Sequence, residues 1–266
     1  MAFHRNQDGP TGHRPELEVT TPAVAGAPIR GRVRGLSEPA DVTLLRVETC
    51  PSGRLAMPMC SCVVAPNGAA SPFELAVPLA TPPVVAGPHC GLSFAIRART
   101  PVSGRRRGQA LVPVEISGGV RDVHETSLRH DRVIASFPAR HFHIELADAV
   151  LEGGGQIQGR VHIADGATRA VEVIARCEES WRVNFRFRHH RQPPLWRTQR
   201  LWDADLTVEC EPDRRWHPFA FTIPPGLPTA VEGHIVCWRY EIEARRPVRI
   251  GPAERAVVTP LRFDVE

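Results

Sequence analysis

Between Trp181 and Trp202 the chain carries six arginines able to grip an anion: Arg182, Arg186, Arg188, Arg191, Arg197 and Arg200. A guanidinium is a planar fork of donors that meets a carboxylate or phosphate through two parallel hydrogen bonds. Trp196 lies among them, and Trp and Arg together are the side chains that most often anchor protein interfaces. The segment alternates. Trp181, Val183, Phe185 and Phe187 fall on one side of an extended chain, and Arg182, Asn184, Arg186 and Arg188 on the other. With the Pro193-Pro194 break, this period predicts a long β-hairpin whose tip is His189 to Pro194. Two readings stand. Arg182, Arg186, Arg188, Arg191, Trp196, Arg197 and Arg200 form a surface for a protein partner, or they are the basic solvent face of an ordinary hairpin. Nucleic acid is not the expected partner, because the net charge is only +4 and Arg is balanced by acidic residues nearly everywhere.

Other chemistry is weakly signalled. Cys60-Ser-Cys62 with Cys50 nearby matches no common zinc spacing. His189 and His190 are adjacent, so on a strand they point to opposite faces and do not share a ligand set with His141 and His143. No metal and no cofactor are expected. The chain has no Gly-x-Ser-x-Gly, P-loop or dinucleotide fingerprint, and no Ser or Asp groups with a His at a recognised spacing. Gly153-Gly-Gly155 precedes a strand and reads as a turn. The expectation is a protein that is not an enzyme. The seven cysteines, an odd number, read as free thiols, with Cys177, Cys210 and Cys237 behaving as small buried hydrophobes in apolar strands.

The elements that would position these residues occur twice. Gly26-Ala-Pro-Ile29-Arg-Gly31-Arg-Val33 returns as Gly154-Gly-Gln-Ile157-Gln-Gly159-Arg-Val161. Pro72-Phe73-x-Leu75-x-Val77-Pro78 returns as Pro218-Phe219-x-Phe221-x-Ile223-Pro224. Leu92-Ser-Phe94-Ala-Ile96-Arg-Ala98 returns as Trp238-Arg-Tyr240-Glu-Ile242-Glu-Ala244. Internal repetition sets the architecture before any local reading does. The first block recurs 128 positions on (29 to 157) and the others 146 positions on (73 to 219, 96 to 242), so the second copy holds 146 − 128 = 18 extra residues. They fall around Trp181 to Asp205.

The short alternating runs, 26 Pro and 21 Gly predict strands and turns throughout. In the first copy strands are expected at Glu16 to Val19, Ile29 to Val33, Asp41 to Val47, Met57 to Ala65, Phe73 to Val77, Leu92 to Ala98 and Gln109 to Ile116. Phe219, Phe221, Ile223, Trp238, Tyr240, Ile242 and Ala244 are the expected core of the second copy, with Arg239, Glu241, Glu243 and Arg245 on a wet face. Residues 1–14 are polar and read as a disordered tail without a signal peptide. Residues 15–117 are expected to form one β-sandwich, 118–139 a linker with a short helix or an extra strand (Val133 to Phe137), and 140–266 a second sandwich carrying a hairpin insertion near 181–206. No apolar run reaches membrane-spanning length, so no integral membrane segment and a cytoplasmic location are expected. All 33 Lys/Arg positions are Arg. A GC-rich genome explains that blandly, and selection for guanidinium chemistry explains it functionally.

The order of blocks in the second copy resembles the arrestin-like superfamily: Phe142-x-Ile144-x-Leu146, Gly155-x-Ile157-x-Gly159-x-Val161, Pro218-Phe-x-Phe221-x-Ile223-Pro224, then Trp238-x-Tyr240-x-Ile242-x-Ala244. The first copy is a worn version, with Phe94 in place of Tyr240. The bacterial sporulation-control group is the nearest in size. The resemblance implies an all-β fold of two tandem antiparallel immunoglobulin-like sandwiches. It also implies a non-enzymatic adaptor or scaffold that binds partner proteins in a bacterial developmental, stress or envelope process. The chain departs from the α-arrestins in lacking Pro-Pro-x-Tyr; Pro193-Pro194-Leu195-Trp196 has no Tyr. The alternative is a structural subunit that self-associates, or joins a larger complex, through strand edges and the second-copy hairpin.

Overall fold

The computed structural model describes residues 15–100, 108–117, 142–147, 150–152, 155–164, 169–185, 193–246, 254–258 and 262–264. Every regular element among them is a β-strand. The expected strand at Val133 to Phe137 lies outside the described residues. The chain divides into two compact units. One comprises Met1–Val47, Ala56–Val84 and Leu92–Val120; the other comprises Glu48–Leu55, Val85–Gly91 and Arg121–Glu266.

The first ten strands are β1 (Glu16–Val19), β2 (Ala23–Val24), β3 (Pro28–Arg34), β4 (Ala40–Cys50), β5 (Gly53–Val64), β6 (Ala70–Ala76), β7 (Val85–Ala86), β8 (Gly91–Arg99), β9 (Gln109–Val114) and β10 (Ile116–Ser117). They include every strand expected in the first copy, with boundaries moved by a few residues at most turns. The sheets run β1-β3-β6 and β5-β4-β8-β7, with β9 also on β8, and β2 pairs β10. β3 buries alternate residues, Ile29, Gly31 and Val33. β6 does the same with Ser71, Phe73 and Leu75. Period-two burial is what a strand with one wet face requires.

The last ten strands are β11 (Phe142–Leu146), β12 (Val150–Glu152), β13 (Gln156–Ile163), β14 (Ala170–Arg182), β15 (Trp196–Glu209), β16 (Trp216–Thr222), β17 (Val231–Glu232), β18 (Val236–Arg246), β19 (Glu254–Val258) and β20 (Arg262–Asp264). β11-β13-β16 form one antiparallel sheet and β15-β14-β18-β17 another, with β19 on the far side of β18 and β12 pairing β20. The two larger sheets enclose one core. Ile144, Ile157, Val161, Phe219 and Phe221 come from the first sheet, and Val171, Val173, Ala175, Cys177, Tyr240 and Ile242 from the second. This is a sandwich-like packing of inner faces.

β14 is the spine of this unit. It alternates over its whole length, burying Val171, Val173, Ala175, Cys177, Glu179 and Trp181. It pairs with β15 on one side and β18 on the other. The repeated glycine also has a steric reason. A Cβ on Gly159 would collide with the Phe219 ring and the Glu145 carbonyl, and one on Gly31 with the Phe73 ring and the Glu18 carbonyl. The Gly and Phe motifs of each copy are therefore two halves of one contact. Tyr240 is 1% exposed, and its hydroxyl donates to the Pro228 carbonyl at 2.9 Å, which ties the loop before β17 to the core.

All seven expected core residues of the second copy are buried, Phe219 through Ala244. Glu243 departs from the expectation of a wet face, being only 4% exposed. Arg176 explains it, lying 3.2 Å from Glu243 and also ion-paired with Glu241. The three side chains cover one another, and a paired guanidinium makes a buried carboxylate tolerable.

Replacing Tyr240 with Phe removes the hydroxyl but keeps the ring, leaving a buried carbonyl without that donor. The expected cost is about 1–3 kcal/mol, read as a lower midpoint in urea with an unchanged m-value. A midpoint equal to wild type would mean that the hydroxyl does not hold this loop.

Candidate functional site

Most of the eighteen surplus residues lengthen the connection between β14 and β15. In the first copy only Pro51 and Ser52 separate β4 from β5, whereas residues 183–195 separate β14 from β15. β14 stops at Arg182, short of the strand expected to run to Phe187. Asn184 accounts for the stop. Its Oδ1 accepts from the Leu195 backbone N–H at 3.0 Å, and its Nδ2 donates to the Pro193 carbonyl at 3.0 Å. A side chain that bonds backbone in this way takes the place of ladder hydrogen bonds. Arg186, Arg188 and Arg191 lie outside the described residues.

The remaining predicted site residues are ordered by register. Arg182 faces Trp196, Trp181 faces Arg197, and Ser180 faces Thr198, whose hydroxyl is 2.9 Å from that of Ser180. The register shifts between Cys177 and Glu178, so Glu178 pairs Arg200 while Cys177 pairs Trp202. Directly opposed residues share a face. Arg182, Trp196 and Arg200 therefore lie together on the face turned from the core, and Arg197 lies on the other. A β-bulge of this kind re-aims the residues beyond it. Residues 193–200 are all exposed, Leu195 at 60% and Trp196 at 39%. Arg200 contacts Asp203 at 3.2 Å, both well exposed, a pair of little energetic weight.

Two buried carboxylates stiffen the unit beneath this end. Glu179, fully buried, accepts from the backbone N–H groups of His89 (3.2 Å) and Cys90 (3.0 Å) and from the indole N–H of Trp238 (3.1 Å). The His89 ring stacks on Trp181, centroids 5.5 Å apart. Glu48, also fully buried, accepts from the N–H groups of His234 (3.1 Å) and Ile235 (2.7 Å). Gly87 and Gly233 are required by these contacts, since a Cβ on either would run into the Glu179 or the Glu48 carboxylate. Sequence reading passed over both acids, because a Glu on a strand normally marks the solvent side. The signal was there in phase: Glu179 continues the apolar positions 171, 173, 175 and 177.

A second cluster also went unread. His143, His162 and Trp216 sit in one row across β11, β13 and β16. The imidazole centroids are 4.6 Å apart, and Trp216 meets each ring edge-on. Arg160 stacks over the indole at 3.9 Å and reaches Glu145 on its other side at 2.6 Å. Beside them lies a shallow depression lined by Glu145, Gln158, Gly159, Arg160, Pro218 and Ala220, among others. The equivalent row of the first copy holds Glu16, Arg34 and Ala70, an ordinary surface set. Burial, His143 and Arg215 together hold the His162 pKa below its ordinary value, against an opposing pull from Glu145.

No group of three or more His, Cys, Asp or Glu among the described residues is placed to hold a metal ion. The thiols of Cys60, Cys62, Cys90, Cys177 and Cys237 are all pushed up, burial being the first cause, and Cys177 reaches about 11. Such thiols are poor nucleophiles. No helix among the described residues is long and apolar enough to cross a membrane. No family model matches the chain, and no curated protein matches it.

Glu179→Ala leaves two buried donors, the Cys90 N–H and the Trp238 indole, and one part-buried donor, the His89 N–H, without their acceptor, at about 1–3 kcal/mol for each buried one. The expected loss is about 3–5 kcal/mol in chemical denaturation, with Glu179→Gln losing less because its amide oxygen still accepts. Equal losses in the two variants would refute the hydrogen-bonding account.

The His row predicts acid sensitivity. A lowered folded pKa means that the unfolded chain binds the proton more readily, so stability is whole above the unfolded value of about 6.5 and falls as pH drops toward the folded value. The groups facing His162 are His143 and Glu145 on β11, Arg160 on its own strand, Trp216 on β16 and Arg215 just before it. Three of the charged or titrating groups are cationic when protonated, and Glu145 alone is anionic. Melting temperature should fall between pH 7 and pH 5.5 in the wild type, and by less in His162→Phe. Parallel profiles for the two would remove His162 as the cause.

Proposed function

We propose that this chain is a non-enzymatic adaptor built from two tandem immunoglobulin-like, arrestin-like sandwiches, which recruits a partner protein through the outer face at the free end of β14 and β15. The observation that carries the reading is the placement of Arg182, Trp196 and Arg200 on one outer face beyond the bulge, with Arg182 half-buried and the other two exposed. An indole opposite one guanidinium, with a second further along the same face, suits a partner segment that offers an apolar side chain and carboxylates. The ordered repeats support the arrestin-like part of the proposal, and the bacterial, cytoplasmic setting belongs to the same expectation.

A second reading, a subunit that associates with itself, is favoured by one specific observation. β15 is a sheet edge, and its charge is divided along its length: Arg197 and Arg200 in the first half, Asp203, Asp205 and Glu209 in the second.

The test of the adaptor is affinity capture from the native cell with mass spectrometry, wild type beside Arg182→Glu/Trp196→Ala. Both positions lie off the core face, so the variant should melt as the wild type does. Partners held through this face should be lost, since hot-spot truncations of Trp or Arg cost about 2 kcal/mol or more. An unchanged partner list would overturn this placement of the binding face.

A further inference from the structure

The sheet edges of this protein are treated unequally. In the described residues, the edge strands longer than five residues are β5, β6, β9, β15 and β16. β5 contains Pro58, β6 Pro72, β9 Pro113 and β16 Pro218. Proline lacks the N–H that a new strand would need, and its presence on an edge is a common device against unwanted pairing. β15 is the longest of the five, at 14 residues, and has no proline. It pairs with β14 alone. The strand equivalent to it in the first copy, β5, is one of those that is blocked.

The open edge is self-complementary. Its first half, 196–202, carries Arg197 and Arg200 and no acid; its second half, 203–209, carries Asp203, Asp205 and Glu209 and no base. All five charged side chains are exposed. Laid antiparallel on a second copy, Arg200 of each strand meets the acidic half of the other on the outer face that Asp203, Asp205 and Glu209 share, while Arg197 lies on the opposite face. A parallel arrangement would set like charges together and is disfavoured. The antiparallel arrangement has two-fold symmetry, so it closes as a dimer and does not grow into a fibre. The apolar side chain of Leu195, 60% exposed, lies at its margin, where a second strand would shield it from water.

We propose that β15 pairs antiparallel with β15 of a second copy of this chain, joining the two β15-β14-β18 sheets edge to edge. The inference rests on the self-association reading and specifies its interface. Edge pairing consumes backbone groups and leaves side-chain faces open. The exposed Trp196 and the half-buried Arg182 therefore stay clear of the pairing on each copy, and the dimer offers two copies of the partner-binding face.

A charge exchange tests this on the full chain. Arg197→Asp/Arg200→Asp makes β15 acidic throughout, and Asp203→Arg/Asp205→Arg makes it predominantly basic. All four positions are exposed, and far-UV circular dichroism melts check that each variant folds. By sedimentation velocity the wild type should be a dimer at tens of micromolar, and each variant alone should self-associate at least about tenfold more weakly. An equimolar mixture of the two differently labelled variants should recover dimers, seen as energy transfer between labels. Hydrogen exchange should show protection of the β15 amides that grows with wild-type concentration.

A monomeric wild type would overturn the proposal. So would variants that still dimerise, a mixture that stays monomeric, or a dimer that leaves the β15 amides unprotected. Should one variant fail to fold, the other must still weaken association and raised salt must weaken the wild-type dimer; failure of either overturns the inference. Capture of partners through Arg182 and Trp196 is a separate readout, so loss of the dimer with partners retained would leave the adaptor reading standing.

Discussion

A strand sends successive side chains to opposite faces, and in this chain thirteen consecutive residues of β14 obey that rule while bonded on both edges. Much of the second unit follows from it. The odd positions from Val171 to Cys177 supply the core against Phe219 and Phe221. The next two, Glu179 and Trp181, continue the inner face where apolar partners give way to the loop at His89 and Cys90. The even positions carry the opposite face, where Glu172 meets Arg245 at 2.8 Å and Arg176 meets Glu241 and Glu243. One slip of register would exchange the two sets and bury this ladder of charges in place of the core.

The buried acids show what such a rule costs and how the cost is met. Glu179 has no solvent contact, yet it accepts from two backbone N–H groups and the Trp238 indole. Glu48 likewise binds the backbone at His234 and Ile235. Each acid is placed by a strand and satisfied by a loop far away in the chain, 89–90 residues for Glu179 and 186–187 for Glu48. Neither carboxylate could stay buried without these donors, and neither loop could approach without its glycine. The arrangement fastens unit 2 from within and sets Trp181 beneath the end of the hairpin.

Function is then a matter of what this framework leaves uncovered. The bulge at Cys177 and Glu178 shifts the phase of β15 relative to β14, so Trp196 and Arg200 join Arg182 on the outer face and Arg197 is turned away. Backbone and side chains of the same strand can serve different contacts: an open edge offers its backbone groups, and a face offers its side chains. The prolines of β5, β6, β9 and β16 make sense in this frame, as each removes a competing edge.

The sequence by itself determined the β class, the repeated order of strands and the inward-facing residues of the best-patterned ones, because burial on one face imposes period two and leaves it in the residue types. Phe219, Phe221, Tyr240 and Ile242 were legible for that reason. It also located the surplus at the hairpin, since an insertion must appear as a jump in the spacing of repeats. Only the tertiary structure decided where β14 stops and which of Arg182, Arg197 and Arg200 share a face, for a one-residue bulge inverts the alternation without any mark in composition. It alone revealed Glu179, Glu48 and the His143–His162–Trp216 row, because their roles come from partners brought together across strands and loops. Residue periodicity records which face a side chain takes, but the neighbour it meets there is set by pairing register and long-range packing.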